Sequence, residues 1–407
     1  MALLSVDDAR ARILSHFQAV TTETLPLVDC NHRVLAQDVA ATTDLPPFDN
    51  SSMDGFAIRV ADLNADPLQR LHVIADIPAG VSPTISLSQG EAARIMTGAQ
   101  VPAGADAVVP VEDTDFNNRD AGSAPPELVV INAPVNKGAN IRARGMDIHA
   151  GEIVLSKGRA LKPQDIGLLA MLGYAEVPVH TKVRVGLFSS GNELLEVGAP
   201  LEPGKIRDSN SYTLEALLKE AGADVIRLGV AKDDRESVKA LLDKAVESRV
   251  DLILSSAGVS VGAFDFVKEV IEANGKLDFW RVNMRPGKPL AFGAYKNIPF
   301  IGLPGNPVSA FVGFEVFVRD VIGKLNGIYN GSRPKVQVRC AEQIDSDGRE
   351  SYLRAEVREE NGSFVAHLTG HQGSGNLHSL VQANALLIIP AGVKCVPAGQ
   401  EVNAWLI

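Results

Sequence analysis

Four short segments of the chain, each rich in glycine and serine or in acidic residues, directly follow apolar runs. They are Ser189-Ser190-Gly191-Asn192-Glu193, Lys232-Asp233-Asp234, Ser256-Ala257-Gly258-Val259-Ser260-Val261-Gly262 and Pro304-Gly305-Asn306-Pro307-Val308-Ser309. Glu193, Asp233 and Asp265 bring carboxylates to these connections from separate parts of the chain. Hard oxygen ligands of this kind suit Mg2+ bound partly through water and phosphate. Taken singly, the same residues have plainer uses: Asp233 and Asp234 would serve as caps for a following helix, and Glu193 would lie solvated.

In the last segment Gly305 permits backbone conformations closed to other residues, Asn306 can cap, and Pro307 suits a first helical position. The amides of Val308, Ser309 and Ala310 would then face an oxyanion. Ser256, Gly258, Ser260 and Gly262 form a second Gly- and Ser-containing loop for the same purpose, although neither loop matches a P-loop or a dinucleotide fingerprint. Upstream, Arg281-Val282-Asn283-Met284-Arg285-Pro286-Gly287-Lys288-Pro289 holds Arg285 and Lys288 on a backbone restricted by two prolines, so that both cations could meet one tetrahedral anion. The histidines have no metal-ligand spacing, His371 reads as a loop residue, and no Ser-His-Asp order can be drawn.

These segments need a scaffold, and the pattern between them supplies one. Apolar strands over 183–188, 224–230, 251–255 and 300–303 alternate with helices over 212–221, 235–247 and 264–274, and a long apolar helix follows Pro307. The simplest solution is a parallel α/β sheet covered by helices on both faces, with the loops gathered at the carboxyl ends of the strands. Before it, Ser5 and Asp8 cap a helix that places Ala9, Ile13 and Phe17 on one side. Short β-like runs such as 71–75 and 107–111 suggest a β-rich insertion, and helical pattern returns at 163–172 between Pro163 and Gly173. After a polar linker, strands over 335–340, 364–368 and 385–389 suggest a small β-barrel or sandwich. The expected organisation is therefore a discontinuous N-terminal domain (1–44 and 145–181), an inserted β-rich domain (45–144), a parallel α/β domain (182–326) and a C-terminal β-barrel (327–407).

Composition narrows the partners. At 407 residues the chain exceeds one hydrophobic core. A net charge of -10 repels a phosphate backbone at long range, and 5% aromatic content argues against a stacking platform, so nucleic acid is not expected. Cys30, Cys340 and Cys395 form neither a C-x-x-C pair nor a disulfide framework, which fits a reducing compartment. The N-terminal twenty residues carry interspersed charges, and no apolar run is long enough to span a bilayer. No membrane role and a cytoplasmic location are the expectation.

Longer motifs make the reading more specific. Ser52-Met53-Asp54-Gly55-Phe56-Ala57, Ile95-Met96-Thr97-Gly98, Arg144-Gly145-Met146-Asp147-Ile148, Arg285-Pro286-Gly287-Lys288-Pro289 and the loops at 255–262 and 302–309 together resemble the molybdopterin molybdenumtransferase family, over a stretch from about Ala9 to the C-terminus. The likeness extends to the C-terminal region of gephyrin. The resemblance implies a molybdopterin-binding fold in the α/β domain and a homodimer whose clefts lie between that domain of one subunit and the inserted domain of the other. It implies that Asp54 and Thr97 act in trans, that Asp147 is an acidic residue of the cleft, and that Glu193, Asp233 and Asp265 serve magnesium and substrate. It further implies that Pro304 and Pro307 shape their loop, and that Arg285, Lys288 and Ser309, with Arg349 and Ser374, surround molybdate.

The activity implied is insertion of molybdate into adenylylated molybdopterin with release of AMP, in company with a molybdopterin adenylyltransferase and with molybdoenzyme maturation proteins. Two positions depart from the family pattern: Arg285 stands where a lysine is expected, and Ala257 where glycine is common. The preceding adenylyltransferase step is one rival, which the inserted and C-terminal domains disfavour. A non-catalytic gephyrin-like scaffold is another, which the lack of a fused adenylyltransferase before Met1 disfavours.

Overall fold

The structure, a computed structural model, describes residues 3–63, 70–116, 122–256, 266–328 and 333–407, without the side chains of 279 and 280. Asp265, Gly258, Ser260, Gly262 and the Ala257 departure lie outside the described residues. By internal contacts the chain divides into one unit of residues 1–37, 157–166 and 175–407, and a second of residues 38–156 and 167–174.

The first unit is built on a six-stranded sheet in the order Ala223–Ala231, Val183–Ser190, Leu252–Ser256, Ile298–Leu303, Pro289–Tyr295, Gly275–Arg281. The first four strands are parallel. Side chains alternate to opposite faces, so both faces of a central strand must be apolar if helices cover both. Val185, Leu187, Leu252, Leu254, Ile301 and Leu303 enter one core with the helix Asn210–Glu220 and the helical run after Pro307. Phe188, Ile253 and Phe300 enter the other with helices Arg235–Glu247 and Phe266–Asn274. The N-terminal helix Val6–Ser15 also belongs to the first core. Ser5 caps it by accepting from the Asp8 amide, and Ala9, Ile13 and Phe17 are buried.

Two features of the α/β layer differ from the sequence expectation. The parallel sheet continues as an antiparallel edge, because 275–281 and 289–295 are strands that the pattern did not reveal. Lys296 and Asn297, both at positive φ, reverse the chain in two residues. Gly275 and Gly293 lie so close to the neighbouring backbone that an added Cβ would come within 1.8 Å of the Ala294 oxygen and 2.1 Å of the Lys276 oxygen, respectively. The expected long helix after Pro307 is α-helical over Pro307–Gly313, π-helical over Phe314–Val318 and α-helical again over Arg319–Leu325. The wide turn carries Glu315, which is buried in an otherwise apolar run.

The C-terminal part closes a five-stranded barrel. Strands 350–360, 363–368, 335–340, 401–406 and 385–389 pair in that order, and 385–389 returns to 350–360. The short strand Met284–Arg285 adds parallel to Glu350–Ser351, which joins the barrel to the loop bearing Arg285 and Lys288. The eleven-residue strand Glu350–Glu360 escaped the sequence pattern because charged residues interrupt its apolar alternation.

The second unit contains a five-stranded sheet in the order Ala107–Pro110, Gly55–Ile58, Glu91–Ile95, Arg70–Ile77, Leu128–Val130. Its two apolar clusters include Phe56, Ile58 and Val109 in one and Ala57, Ile95 and Val108 in the other. No helix among the described residues is long and apolar enough to cross a membrane.

Candidate active site

In the first unit the loops leave the carboxyl ends of the parallel strands and bond to one another. Gly191 N–H donates to the Ala231 carbonyl at 3.1 Å. Asn192 and Asp233 exchange bonds: the Asn192 amide donates to Asp233 Oδ2 at 3.0 Å, and the Asp233 amide donates to Asn192 Oδ1 at 3.3 Å. Glu193 folds back over Gly191, whose φ is +152°, and an added Cβ there would sit 2.5 Å from Glu193 Oε2. Glu193 and Asp233 are both exposed. The neighbouring Asp234 takes the capping duty, accepting from the Ser237 amide at 2.7 Å. Of the two adjacent acids that the sequence offered as caps, Asp234 takes that role and Asp233 is a loop carboxylate.

The third and last parallel strands are tied by a side chain that sequence reasoning passed over. Asn210 Nδ2 donates to Ser256 Oγ and to the Gly305 carbonyl, each at 2.7 Å. Ser256 is buried and engaged, and the Ser255 hydroxyl beside it is buried without a hydrogen-bond partner among the described residues. Beneath Asn210, Asp208 accepts from Ser189 and Ser211 hydroxyls.

At the start of the helix Pro307–Gly313 the expected capping is altered. Asn306 occupies the N-cap position with no side-chain cap bond. The Val308 amide instead donates to the Ser374 carbonyl of the barrel at 3.0 Å, and the Ala310 amide donates to the Asn306 carbonyl at 2.9 Å. Of the three amides proposed to face an anion, Ser309 alone keeps amide and hydroxyl without a hydrogen-bond partner among the described residues. Pro304 is buried, and Gly305 is exposed beside it.

The loop carrying Ser374 rests on Arg354, a fully buried residue of the long barrel strand. Its guanidinium donates to the carbonyls of His371, Gln372 and Gly373 and to Ser379 Oγ, at 3.0 to 3.3 Å. No carboxylate among the described residues pairs with it. Burial, with the nearby Arg285 charge, pushes its pKa down to about 10, so it remains a cation at neutral pH. The signal that could have found it is an arginine inside the run Tyr352-Leu353-Arg354-Ala355, where every position is buried.

The basic residues meet nearby. Gly287, at φ +101°, lies against the helix start, with its would-be Cβ 3.6 Å from the Ser309 carbonyl. Lys288 is exposed and has no ionic partner among the described residues. Arg349 donates from Nη1 to the Met284 carbonyl at 3.2 Å and from Nε and Nη2 to Asp347 Oδ2 at 3.0 and 2.6 Å. Arg285 Nη1 lies 3.9 Å from the same Asp347 oxygen. The two guanidiniums hold the Asp347 carboxyl below its ordinary range, Arg349 by its hydrogen bonds foremost.

The second unit has its own constellation. Asp54 Oδ1 accepts from the Thr97 amide at 2.6 Å and from its hydroxyl at 2.7 Å, which lowers the Asp54 pKa. Gly55 is required next door because a Cβ would come within 1.9 Å of the Val109 carbonyl oxygen. Asp147 is paired with Arg142, whose strand runs beside Asn50–Ser51 just ahead of Asp54. Asp54, Thr97 and Asp147 are all exposed. Among the described residues no group of three His, Cys, Asp or Glu side chains is arranged to hold a metal.

The models of three family regions match in chain order: the MoeA N-terminal region (domains I and II) over residues 4–173, the probable molybdopterin binding domain over 186–324, and the MoeA C-terminal region (domain IV) over 337–407. The chain belongs to the MoeA family. Among its relatives, a molybdopterin molybdenumtransferase of Nostoc sp. is 39% identical over 94% of this chain and 88% of its own length. Another, of Haemophilus influenzae, is 37% identical over 98% of both. A crystal structure of the molybdopterin biosynthesis MoeA protein of Pyrococcus horikoshii covers 100% of both chains, with a TM-score of 0.83 and 32% identity. The multidomain α/β fold with its C-terminal barrel is that of the MoeA family.

Proposed function

We propose that this MoeA-family protein is a cytoplasmic, homodimeric molybdopterin molybdenumtransferase that inserts molybdate into adenylylated molybdopterin and releases AMP. The reading rests chiefly on one juxtaposition. Pairing of Met284–Arg285 with Glu350–Ser351 sets Arg285 and Arg349 side by side, next to the loop of Lys288 and the helix start of Ser309. Guanidinium and ammonium donors with an unpartnered serine suit a tetrahedral dianion such as molybdate.

Glu193 and Asp233 are hard-oxygen donors in adjoining loops and both are exposed, so they fit a largely hydrated Mg2+, with Asp265 the third candidate. When bound, that ion would neutralise pyrophosphate charge. The chain's own residues do the rest. Lys288, Arg285, Arg349 and Ser309 hold molybdate, an oxygen of which attacks the phosphoanhydride. Attack at the adenylyl phosphorus breaks the P–O–P bond and leaves the adenylyl group on a molybdate oxygen. The two dithiolene thiols then form Mo–S bonds as two Mo–O bonds break, one oxygen leaving with AMP and the other leaving as water with the two thiol protons. Asn210 keeps the Ser256 and Gly305 loops at fixed spacing while the anions approach. The protein's contribution is preorganised charge, which costs no rearrangement at the moment of reaction. The adenylylated substrate would reach the protein from a molybdopterin adenylyltransferase, and the product would pass to molybdoenzyme maturation proteins.

Incubation of the purified protein with adenylylated molybdopterin, molybdate and Mg2+ tests this reading. We expect AMP release that requires molybdate, and a fall of about 100-fold in kcat/KM for Lys288→Ala, the scale of losing a charged transition-state contact. AMP release by that variant at the parent rate would refute the site. Sedimentation of the purified chain tests the dimer.

A further inference from the structure

We propose that Asp347 is a built-in competitor for the oxyanion: its carboxylate occupies the Arg349 fork beside Arg285 until a tetrahedral dianion displaces it. The inference rests on the molybdate-binding reading above and assigns that site an affinity-setting residue.

The geometry is that of an occupied anion site. Arg349 presents its Nε and Nη2 edge to Asp347 Oδ2, the same parallel pair of donors with which arginine grips oxyanions. Its third donor, Nη1, is bound elsewhere, on the Met284 carbonyl. The guanidinium therefore stays anchored when the carboxylate leaves. Arg285 approaches the same oxygen from the α/β side, so one carboxylate neutralises cations contributed by two segments.

The backbone under Asp347 is fixed, and Asp347 Oδ1 also accepts from the Arg349 amide at 3.1 Å. Ser346 N–H donates to the Lys394 carbonyl at 2.8 Å, Ser346 Oγ accepts from the Gly348 amide at 3.3 Å, and the Gly348 carbonyl accepts from the Gly392 amide at 2.8 Å. Gly348 is at φ +85°, which closes the turn. The Asp347 side chain itself is 39% exposed, so leaving Arg349 takes a side-chain rotation into water that gives up the amide bond as well as the guanidinium, without loop movement. Glu350, the next acid along the chain, is occupied with the Tyr352 hydroxyl and does not compensate for its departure.

An internal carboxylate of this kind weakens every incoming anion by the same factor. An anion is held only when its combined contacts with Arg285, Arg349, Lys288 and Ser309 exceed that competition. Asp347 thereby raises the threshold for occupancy without removing a donor.

Calorimetric titration of the full-length protein with sodium molybdate at constant ionic strength tests the proposal. An exposed ion pair is modest in strength, so Asp347→Asn is expected to bind molybdate about three- to tenfold more tightly than the parent. Glu356→Gln, which makes the same change in net charge on an exposed pair with Arg358, is expected to leave affinity unchanged. Equal or weaker binding by Asp347→Asn, or equal tightening by Glu356→Gln, overturns the proposal while leaving the molybdate site intact. Absence of molybdate binding to parent and variant alike overturns both. Crystals of the parent protein soaked in molybdate give a second measurement independent of variant folding: the Asp347 carboxylate should have left Arg349, and an anion bound with that pair intact refutes displacement.

Discussion

Asp54 and Thr97 show how one hydroxyl sets the state of one carboxylate. Both the hydroxyl and the amide of Thr97 donate to Asp54 Oδ1, and the hydroxyl has the larger effect on its acidity. Charged-form hydrogen bonds favour ionisation. Thr97→Val keeps the shape and removes the hydroxyl, so the Asp54 titration, followed by NMR of the carboxyl carbon, should move upward toward the ordinary carboxylate range. The sign also fixes a stability dependence. The native pKa is lowered, so this contribution is present above the unfolded carboxylate range and is lost as pH falls through the native value. An unshifted titration in the variant would show that the amide alone holds Asp54. The residues of the candidate site were largely legible as types, since Lys288, Ser309 and Arg349 follow from motif and charge. Arg354 and Asp347 were not, because what each bonds, the 371–373 carbonyls and the Arg349 guanidinium, is set by the folded barrel.

At the scale of elements, the decisive contact is between a strand and a loop. Arg354 bonds three consecutive carbonyls of 371–373 and thereby sets the position from which the Ser374 carbonyl caps Val308. Arg354→Met fills a similar volume but leaves buried acceptors unsatisfied, which costs about 2–4 kcal/mol. Denaturant unfolding should show that loss, and hydrogen exchange should show faster opening at the Val308 amide. Slow, parent-like exchange there would mean that the loop holds its place without the arginine. The antiparallel edge strands also belong to this scale. Their glycines and positive-φ turn are ordinary in the sequence, and their meaning lies in backbones that approach too closely for any side chain.

In the first unit as a whole, the α/β layer and the barrel are joined through charge as well as through the Met284–Arg285 strand. Glu315, on the π-helical turn, accepts from Arg319 and from Arg333 of the segment leading into the barrel, and Glu220 of the helix Asn210–Glu220 accepts from both arginines. Burial acts to raise the Glu315 pKa, but the bonds and charges of Arg333 and Arg319 outweigh it and leave the carboxyl below its ordinary range. Its stabilisation is therefore complete above a pH of about 4.3 and declines as pH drops through the lower native value. Glu315→Gln leaves two guanidiniums facing a neutral amide, and should lose about 3–5 kcal/mol at neutral pH. Thermal unfolding across pH 3 to 7 would check both statements, because the variant should lack the Glu315 share of the acid-side decline. Equal curves for the two proteins would show that the cluster contributes nothing to stability.

The division between the two sources of information has a physical basis. Apolar periodicity, caps and strand-end loops are local, so Ser5 with Asp8, the helix Arg235–Glu247 and the parallel strands of the α/β layer could be read along the chain. Which acid caps and which faces the site, as with Asp234 and Asp233, depends on what lies opposite. The same holds for Arg349 on Asp347 and Ser374 on Val308, where the partners are separated in sequence or belong to different layers. Hydrogen-bond directions are properties of three-dimensional neighbours, and a one-dimensional pattern contains the donors and acceptors without their pairing.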